Sequence, residues 1–252
     1  MKYLIILLLC FSTAHAYEIQ QSDVLKKIAA SNDAAIAFYP ASKNILYVSD
    51  IAKAATETLP ASTFKIPHAL AALDSGIIKP DEVFKWDGKN RGRDEWNLDM
   101  TLNEAIKVSA VWVFEEVGKR LGQDVLNVYV SAFNYGNKDI SGDYPFWLTG
   151  NLRISPVEEI DFLQKFNTNY FRLNQTAVRY VQDAMLSGSF KGCTQYAKTG
   201  WATKDGSGWY VGYYECPDET YYFAVRVAID SPEQLKLRQQ LAEQAADVFI
   251  DQ

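Results

Sequence analysis

Four short stretches of this chain hold side chains whose types and spacing could do chemistry. The first is Ser62-Thr63-Phe64-Lys65. A serine hydroxyl is a poor nucleophile until a base takes its proton. A lysine at its ordinary pKa of about 10.4 is the wrong species for that task, so burial or chemical alteration must first change it. Phe64 and Ile66 on either side of Lys65 would supply a dry setting. Pro67 lacks an N–H and is awkward inside a helix, so Ser62–Lys65 is expected to form a tight first turn. In a 3₁₀-like turn residues i and i+3 eclipse, which puts the hydroxyl and the amine on one side. Alone, the pattern arises about once by composition in a chain of this length, and a solvent-facing Ser and Lys is then the better reading.

The second stretch is Ser109-Ala110-Val111. Its hydroxyl could relay a proton and Val111 could cover the lysine, although in isolation a plain serine N-cap is the simpler assignment. The third, Tyr135-Gly136-Asn137, is by itself a loop signal. The fourth is Lys198-Thr199-Gly200, ahead of Trp201. A cation, a hydroxyl and a glycine that lets backbone approach closely would suit a carboxylate-bearing substrate; the alternative is an ordinary strand terminus.

The elements that must position these groups follow from periodicity. Asp23–Ala30 has helical spacing, and Ala35–Tyr39 and Asn44–Ser49 read as strands joined by a turn at Pro40–Lys43. Helical spacing then runs through Ile66–Leu73, Leu102–Val108, Val111–Leu121, Val125–Phe133, Pro156–Phe166 and Thr176–Leu186. Caps support several starts: Thr101 three before Glu104, Ser155 before Pro156 with Glu158 three on, and Asn174. Gln195–Trp201, Gly208–Glu215 and Tyr221–Ile229 read as strands, closed by a helix at Pro232–Phe249. The expected fold is α/β: one antiparallel sheet built from both termini, flanked by helices, with a helical lobe against it.

Composition narrows the chemistry. A chain of 252 residues with 48% apolar and 22% charged residues suits one globular domain with a sizeable core. A net charge of −6 argues against nucleic acid as a partner. Two His and three Cys leave little for a metal site, so none is expected, and little for a Ser-His-Asp triad. Residues 1–16, MKYLIILLLCFSTAHA, have a cation, an apolar run and a small-x-small end. They read as a cleavable signal peptide, which makes 17–252 the mature domain, exported to the periplasm or secreted. The apolar run is too short to span a bilayer stably, and no later segment is long and apolar enough to do so. Removing it takes one lysine and no acid, leaving −7, one histidine (His68) and two cysteines.

Those cysteines test the expected hairpin. If Gln195–Trp201 pairs with Gly208–Glu215 through the loop Ala202–Ser207, residues whose numbers sum to about 409 face one another, and Cys193 and Cys216 are such a pair. A disulfide between them is the favoured reading for an exported chain; two free buried thiols are the alternative.

Taken in order, Ser-x-x-Lys, Ser-x-Val, Tyr-Gly-Asn and Lys-Thr-Gly resemble the penicillin-recognising serine enzymes, specifically the class D (oxacillinase-type) serine β-lactamases. PASTFKIPHALAALDSG, KWDG, DMTLNEAIKVSAV, FNYGN, FWLTGNLRIS, AKTGW and LKLRQQ extend the likeness over the mature chain. The resemblance implies a transpeptidase-like fold and hydrolysis of β-lactams through an acyl-Ser62 intermediate. It implies a catalytic set of Ser62, Lys65, Ser109 and Lys198. Lys65 would be N-carboxylated by carbon dioxide, maintained by bicarbonate, and would act as general base without a dissociable cofactor. Val111, Trp147 and Leu148 would line the carbamate pocket, and Trp147 would donate to it through its indole. Ser109 would pass a proton to the β-lactam nitrogen. The backbone N–H groups of Ser62 and Trp201 would form the oxyanion hole. Lys198, Thr199 and Arg238 would hold the substrate carboxylate, with Gly200 and Trp201 beside them, while Asn137 would be structural. A penicillin-binding protein, or the sensor domain of a β-lactam-responsive receptor, shares much of this pattern. Oligomeric state does not follow from it.

Other residues fare less well as catalysts. His68, six residues beyond Ser62 on a helix, should point elsewhere. Asp94-Glu95 and Glu115-Glu116 read as solvated faces, and Tyr213-Tyr214 and Tyr221-Tyr222-Phe223 as sheet packing. Trp112 stands where many class D members have proline, which concerns the edge of the site rather than the reaction.

Overall fold

The computed structural model describes residues 17–250. The expected signal peptide, 1–16, lies outside the described residues. The chain begins with strand β1 (Glu18–Gln21), helix α1 (Asp23–Ala29), and strands β2 (Ala34–Pro40) and β3 (Ile45–Val48). After α2 (Ile51–Ala54), a 3₁₀ turn at Ala61–Phe64 runs into α3 (Lys65–Asp74). A small hairpin, β4 (Val83–Phe84) with β5 (Met100–Thr101), precedes α4 (Leu102–Lys107), α5 (Val111–Leu121) and α6 (Gln123–Ala132). Then follow α7 (Pro156–Asn167), α8 (Gln175–Met185) and strands β6 (Leu186–Phe190), β7 (Cys193–Ala202), β8 (Ser207–Glu215) and β9 (Thr220–Ala228). A 3₁₀ turn at Pro232–Lys236 leads into the closing helix α9 (Leu237–Phe249).

The main sheet has the order β1-β3-β2-β9-β8-β7-β6, so strands from both ends of the chain meet at the β2/β9 seam. It is mixed rather than wholly antiparallel, because β1 pairs with β3 in parallel. Neither β1 nor β6 follows from periodicity, for a common physical reason. Glu18–Gln21 and Leu186–Phe190 are exposed edge strands, so no buried face imposes alternation on them. The inner strands β2 and β8 are buried almost end to end, since both faces of the sheet are covered.

One core lies between the sheet and the helical lobe and includes Phe64, Leu70, Phe114, Trp147, Leu163 and Trp209. The other lies under α1 and α9 and includes Leu25, Phe38, Phe223, Val225 and Leu241. Helix α3 is buried along Lys65–Leu73, as befits a central helix apolar on all sides. Its first residue is nevertheless a lysine.

The capping boxes at Thr101/Glu104 and Ser155/Glu158 form as the sequence requires, and Asn174 caps α8. Ser109 is not a cap: Ala110 occupies the N-cap position of α5, and Ser109 sits one residue earlier at φ 58°. Strands β7 and β8 pair with Thr194 opposite Glu215 and Ala202 opposite Ser207, the register inferred above. Cys193 and Cys216 are joined by a disulfide, with Cα atoms 4.2 Å apart. Among the described residues no helix is long and apolar enough to cross a membrane.

Candidate active site

The Ser62–Lys65 turn is tight, as expected from Pro67. Ala61–Phe64 is a 3₁₀ helix, with Ala61 at φ 52° and its N–H donating to the Trp147 carbonyl at 2.9 Å. Eclipsing brings the Lys65 Nζ to 3.1 Å from the Ser62 Oγ, to which it donates. Ser62 is 8% exposed and Lys65 1%. Burial pulls the Lys65 pKa down to about 7, with Glu115 acting weakly in the opposite direction. The amine stands 5.1 Å from the centre of the Phe114 ring and 6.0 Å from that of Trp147. Trp147 is wholly buried, and its indole Nε1 has no hydrogen-bond partner among the described residues.

Ser109 faces Lys198, whose Nζ donates to the Ser109 hydroxyl and, at 2.9 Å, to the Thr199 carbonyl. Lys198 is also buried, and its pKa lies well below the ordinary lysine value, first through desolvation and then through Lys65 and Arg238. Arg238, at the start of α9, donates to the Gly200 carbonyl at 2.6 Å; burial lowers its pKa to about 10. Gly200 has a further role. A β-carbon there would sit 3.0 Å from the Pro60 carbonyl oxygen and 3.2 Å from the Ser62 nitrogen, so its lack of a side chain lets β7 lie against the Ser62 turn.

Ser62, Ser109, Val111, Leu148, Thr199, Gly200, Trp201 and Arg238, together with Arg93, Trp96 and Leu235, line a cavity of about 290 Å³, and Lys65, Trp147 and Lys198 are not among its lining residues. Its charged lining residues are both arginines, so it favours an anionic ligand. Leu235 opens the LKLRQQ segment, whereas Arg93 and Trp96 belong to none of the quoted segments and escape sequence reasoning. Those two come from the segment between β4 and β5, whose placement depends on tertiary contacts. Trp112 makes one of those contacts: its indole donates to the Trp96 carbonyl at 2.9 Å, and Trp96 in turn donates to the Val108 carbonyl at 2.8 Å. The Arg93 guanidinium stacks on Trp96 at 5.0 Å. A larger groove of about 800 Å³ lies elsewhere, walled by Glu82, Glu115, Lys119 and Arg120 among others, and contains no residue of the Ser-x-x-Lys, Ser-x-Val, Tyr-Gly-Asn or Lys-Thr-Gly motifs.

Tyr135-Gly136-Asn137 forms a latch behind the site. The Asn137 side chain donates to the Asn151 carbonyl and accepts from the Arg153 and Asp139 N–H groups. A β-carbon on Gly136 would collide with the Arg153 carbonyl oxygen at 1.9 Å. His68 does not face Ser62, yet it lies behind Lys65. Its ring is 5.5 Å from Phe64, 5.4 Å from Phe114 and 5.3 Å from Trp147, and burial, followed by the Lys65 charge, lowers its pKa to about 3. Among the described residues no group of His, Cys, Asp and Glu is arranged to hold a metal.

Known proteins resemble this chain in sequence and fold. Residues 29–247 match the penicillin binding protein transpeptidase domain. Beta-lactamase OXA-10 of Pseudomonas aeruginosa is 39% identical over 200 residues, 77% of this chain and 75% of its own. Beta-lactamase OXA-48 of Klebsiella pneumoniae is 39% identical over 202 residues, 79% of this chain and 76% of its own. The regulatory protein BlaR1 of Bacillus licheniformis is 39% identical over 172 residues, which are 67% of this chain but 29% of that protein. The crystal structure of a class D β-lactamase from Sebaldella termitidis superimposes with a TM-score of 0.84 at 33% identity, covering 92% of this chain and 98% of that one. With its buried Ser-x-x-Lys turn set against the Lys-Thr-Gly strand, the chain belongs to the class D β-lactamases and is a β-lactam hydrolase.

Proposed function

We propose that this enzyme opens the β-lactam amide through an acyl-Ser62 intermediate, with N-carboxylated Lys65 as general base. The observation that carries the reading is the buried Lys65 amine 3.1 Å from the Ser62 hydroxyl, beside an unpartnered buried indole N–H. An amine must be neutral to combine with carbon dioxide, and burial brings Lys65 to about 7. The product would carry a negative charge in an aromatic pocket, where Trp147 Nε1 offers a donor with no other use. The residues present therefore fit the group. When carboxylated, Lys65 holds a carbamate that supplies a base competent near neutral pH.

Ser62 Oγ gives up its proton toward the Lys65 side chain and attacks the lactam carbonyl. The backbone N–H groups of Ser62 and Trp201 receive the developing oxyanion. Ser109, in contact with Lys198, delivers a proton to the departing lactam nitrogen, so the C–N bond breaks as the ester to Ser62 forms. Water deprotonated from the same side then attacks the ester, releasing the opened product and restoring the Ser62 hydroxyl. Thr199 and Arg238, which line the cavity, hold the substrate carboxylate together with Lys198, which reaches the site through its contact with Ser109. Residues 1–16 export the chain to the periplasm or medium and are removed before Tyr17.

The likeness to BlaR1 supports a second reading, a receptor-like protein that acylates and stays acylated. Steady-state hydrolysis of a chromogenic cephalosporin, with and without added bicarbonate, separates the two. Turnover that rises with bicarbonate, deacylation that fails in Lys65→Ala, and slowed turnover in Trp147→Phe are the expected results. A stable acyl-enzyme in the wild-type protein would favour the receptor-like reading, and turnover indifferent to bicarbonate would sink the carbamate.

A further inference from the structure

Directly behind the nucleophile turn lies a buried acid that the chemistry above does not use. Glu159, on α7, is fully buried. Its Oε1 lies 2.6 Å from the Thr63 hydroxyl and 2.9 Å from the Tyr135 hydroxyl, and its Oε2 has no partner among the described residues. The Thr63 hydroxyl also lies 2.8 Å from the Pro60 carbonyl oxygen. Thr63 is the residue after Ser62.

Proton counting decides the state of this cluster. Three oxygen–oxygen contacts, Tyr135–Glu159, Glu159–Thr63 and Thr63–Pro60, are each short enough to need a hydrogen between them. The two hydroxyls supply one proton each, and a carbonyl or carboxylate supplies none. The remaining Thr63–Tyr135 approach, at 3.3 Å, is the longest in the cluster. An ionised Glu159 would therefore leave one short contact without a hydrogen. A protonated one completes a single chain from Tyr135 through Glu159 and Thr63 to Pro60. We infer that Glu159 is protonated in the working enzyme and is a positioning residue for the nucleophile: its Oε1–H donates to Thr63, which leaves the Thr63 proton to fasten the Pro60 carbonyl.

The electrostatic surroundings agree. Burial raises the Glu159 pKa to about 7 against the opposing hydrogen bonds from Thr63 and Tyr135, and Glu158, the charged group that acts on it, is a like charge favouring the same neutral form. Tyr135 is itself held well above its ordinary pKa and stays a donor. Other titratable groups on and against α7 have partners other than Glu159: Tyr39 with Gln164, Tyr222 with Asn167, Tyr17 with the Val157 carbonyl, Lys165 with Asp161, and Glu57 with Glu158. Pro60 matters to catalysis because its carbonyl abuts Gly200 and its successor Ala61 holds a left-handed φ that aims Ser62. Deprotonating Glu159 draws the Thr63 proton away from Pro60 and loosens that turn.

Glu159→Gln tests this, because its amide donates to Thr63 at every pH. Two readouts are compared with wild type. For kcat/KM on a chromogenic cephalosporin, wild type and variant should agree within about threefold at about pH 6, and the wild type should fall away from the variant above about pH 7, approaching tenfold per pH unit. For thermal unfolding, the sign follows from proton uptake. Between the ordinary glutamate value of 4.5 and about 7, folded Glu159 is protonated and unfolded Glu159 is not, so wild-type stability falls as pH rises through that window. The variant lacks this component. The activity arm rests on Ser62 as nucleophile; the unfolding arm does not, so a failure of one is separable from a failure of the other. Parallel unfolding curves for the two proteins would overturn the protonated state, and parallel activity profiles would overturn the positioning role. If Glu159→Gln does not fold, the infrared band of an acid carbonyl shielded from water decides the protonation state in the wild type. That band should be present at about pH 6 and lost at about pH 9, and its absence at the lower pH would overturn the inference.

Discussion

Gly200 of β7 and Ser62 of the 3₁₀ turn are in backbone contact: a single β-carbon on the glycine would come within 3.2 Å of the serine nitrogen. The strand that carries Lys198 and the turn that carries the nucleophile are therefore held in register by the absence of a side chain. Both Ser62 and Trp201, whose N–H groups are proposed to bind the oxyanion, flank this contact.

Gly200→Ala is expected to push the two apart, because its methyl meets two backbone atoms and the Ala61 β-carbon, none of which can swing aside. Displacements well under 1 Å at a reacting centre cost much of the benefit of orientation, so kcat/KM should fall at least about tenfold. Global stability should fall by only about 1–3 kcal/mol, typical of overpacking. Steady-state kinetics set beside denaturant unfolding check this; wild-type kcat/KM in the variant would refute the close approach.

Trp112→Phe removes the indole N–H that holds the Trp96 carbonyl at 2.9 Å while keeping an aromatic ring in the site. Losing one such bond costs about 1 kcal/mol. The segment that brings Arg93 and Trp96 to the cavity wall is then less firmly held. The expected outcome is a shift in the ratio of KM values between β-lactams with large and small side chains, with kcat on the small substrate retained. An unchanged ratio would show that the anchor does not shape the cavity edge.

His68→Leu should remove part of the acid sensitivity of folding. Buried among Phe64, Phe114 and Trp147, the imidazole takes up a proton only at about pH 3, against an ordinary value of 6.5. Unfolded protein binds that proton in the window between, so the stability His68 allows is complete above 6.5 and is lost as the pH falls below it. At about pH 5 the loss is roughly 2 kcal/mol in the wild type. Glu159 works in the opposite sense over much of the same range, so the informative quantity is the difference between wild type and variant. Thermal midpoints from about pH 7 down to pH 4.5 that run parallel for the two proteins would contradict a buried neutral His68.

Much of the candidate site is legible in local chemistry. Pro67 forces the tight turn that eclipses Ser62 and Lys65, and the turn forms at Ala61–Phe64. The aromatic and β-branched runs after residue 192 define a hairpin whose register alone brings Cys193 opposite Cys216. What stays hidden has one cause. β1, β6, Arg93 and Trp96 lie on exposed edges or in connecting segments, where no buried face writes a period into the sequence. Ser109 illustrates the opposite case. Its position suggests a helix cap, and only its left-handed backbone shows that it is turned toward Lys198.

The sequence by itself therefore determined the set of reactive groups, the order in which they occur and the secondary elements that carry most of them. Each of those depends on side chains a few residues apart. The electrostatic state of the groups was decided only by the tertiary structure. Lys65 is brought to about 7, and Lys198 is displaced far from its ordinary value, by burial under segments remote in the chain. Glu159 reaches the Thr63 hydroxyl across 96 residues of chain. Desolvation is a property of what surrounds a charge in three dimensions, and no local pattern encodes it.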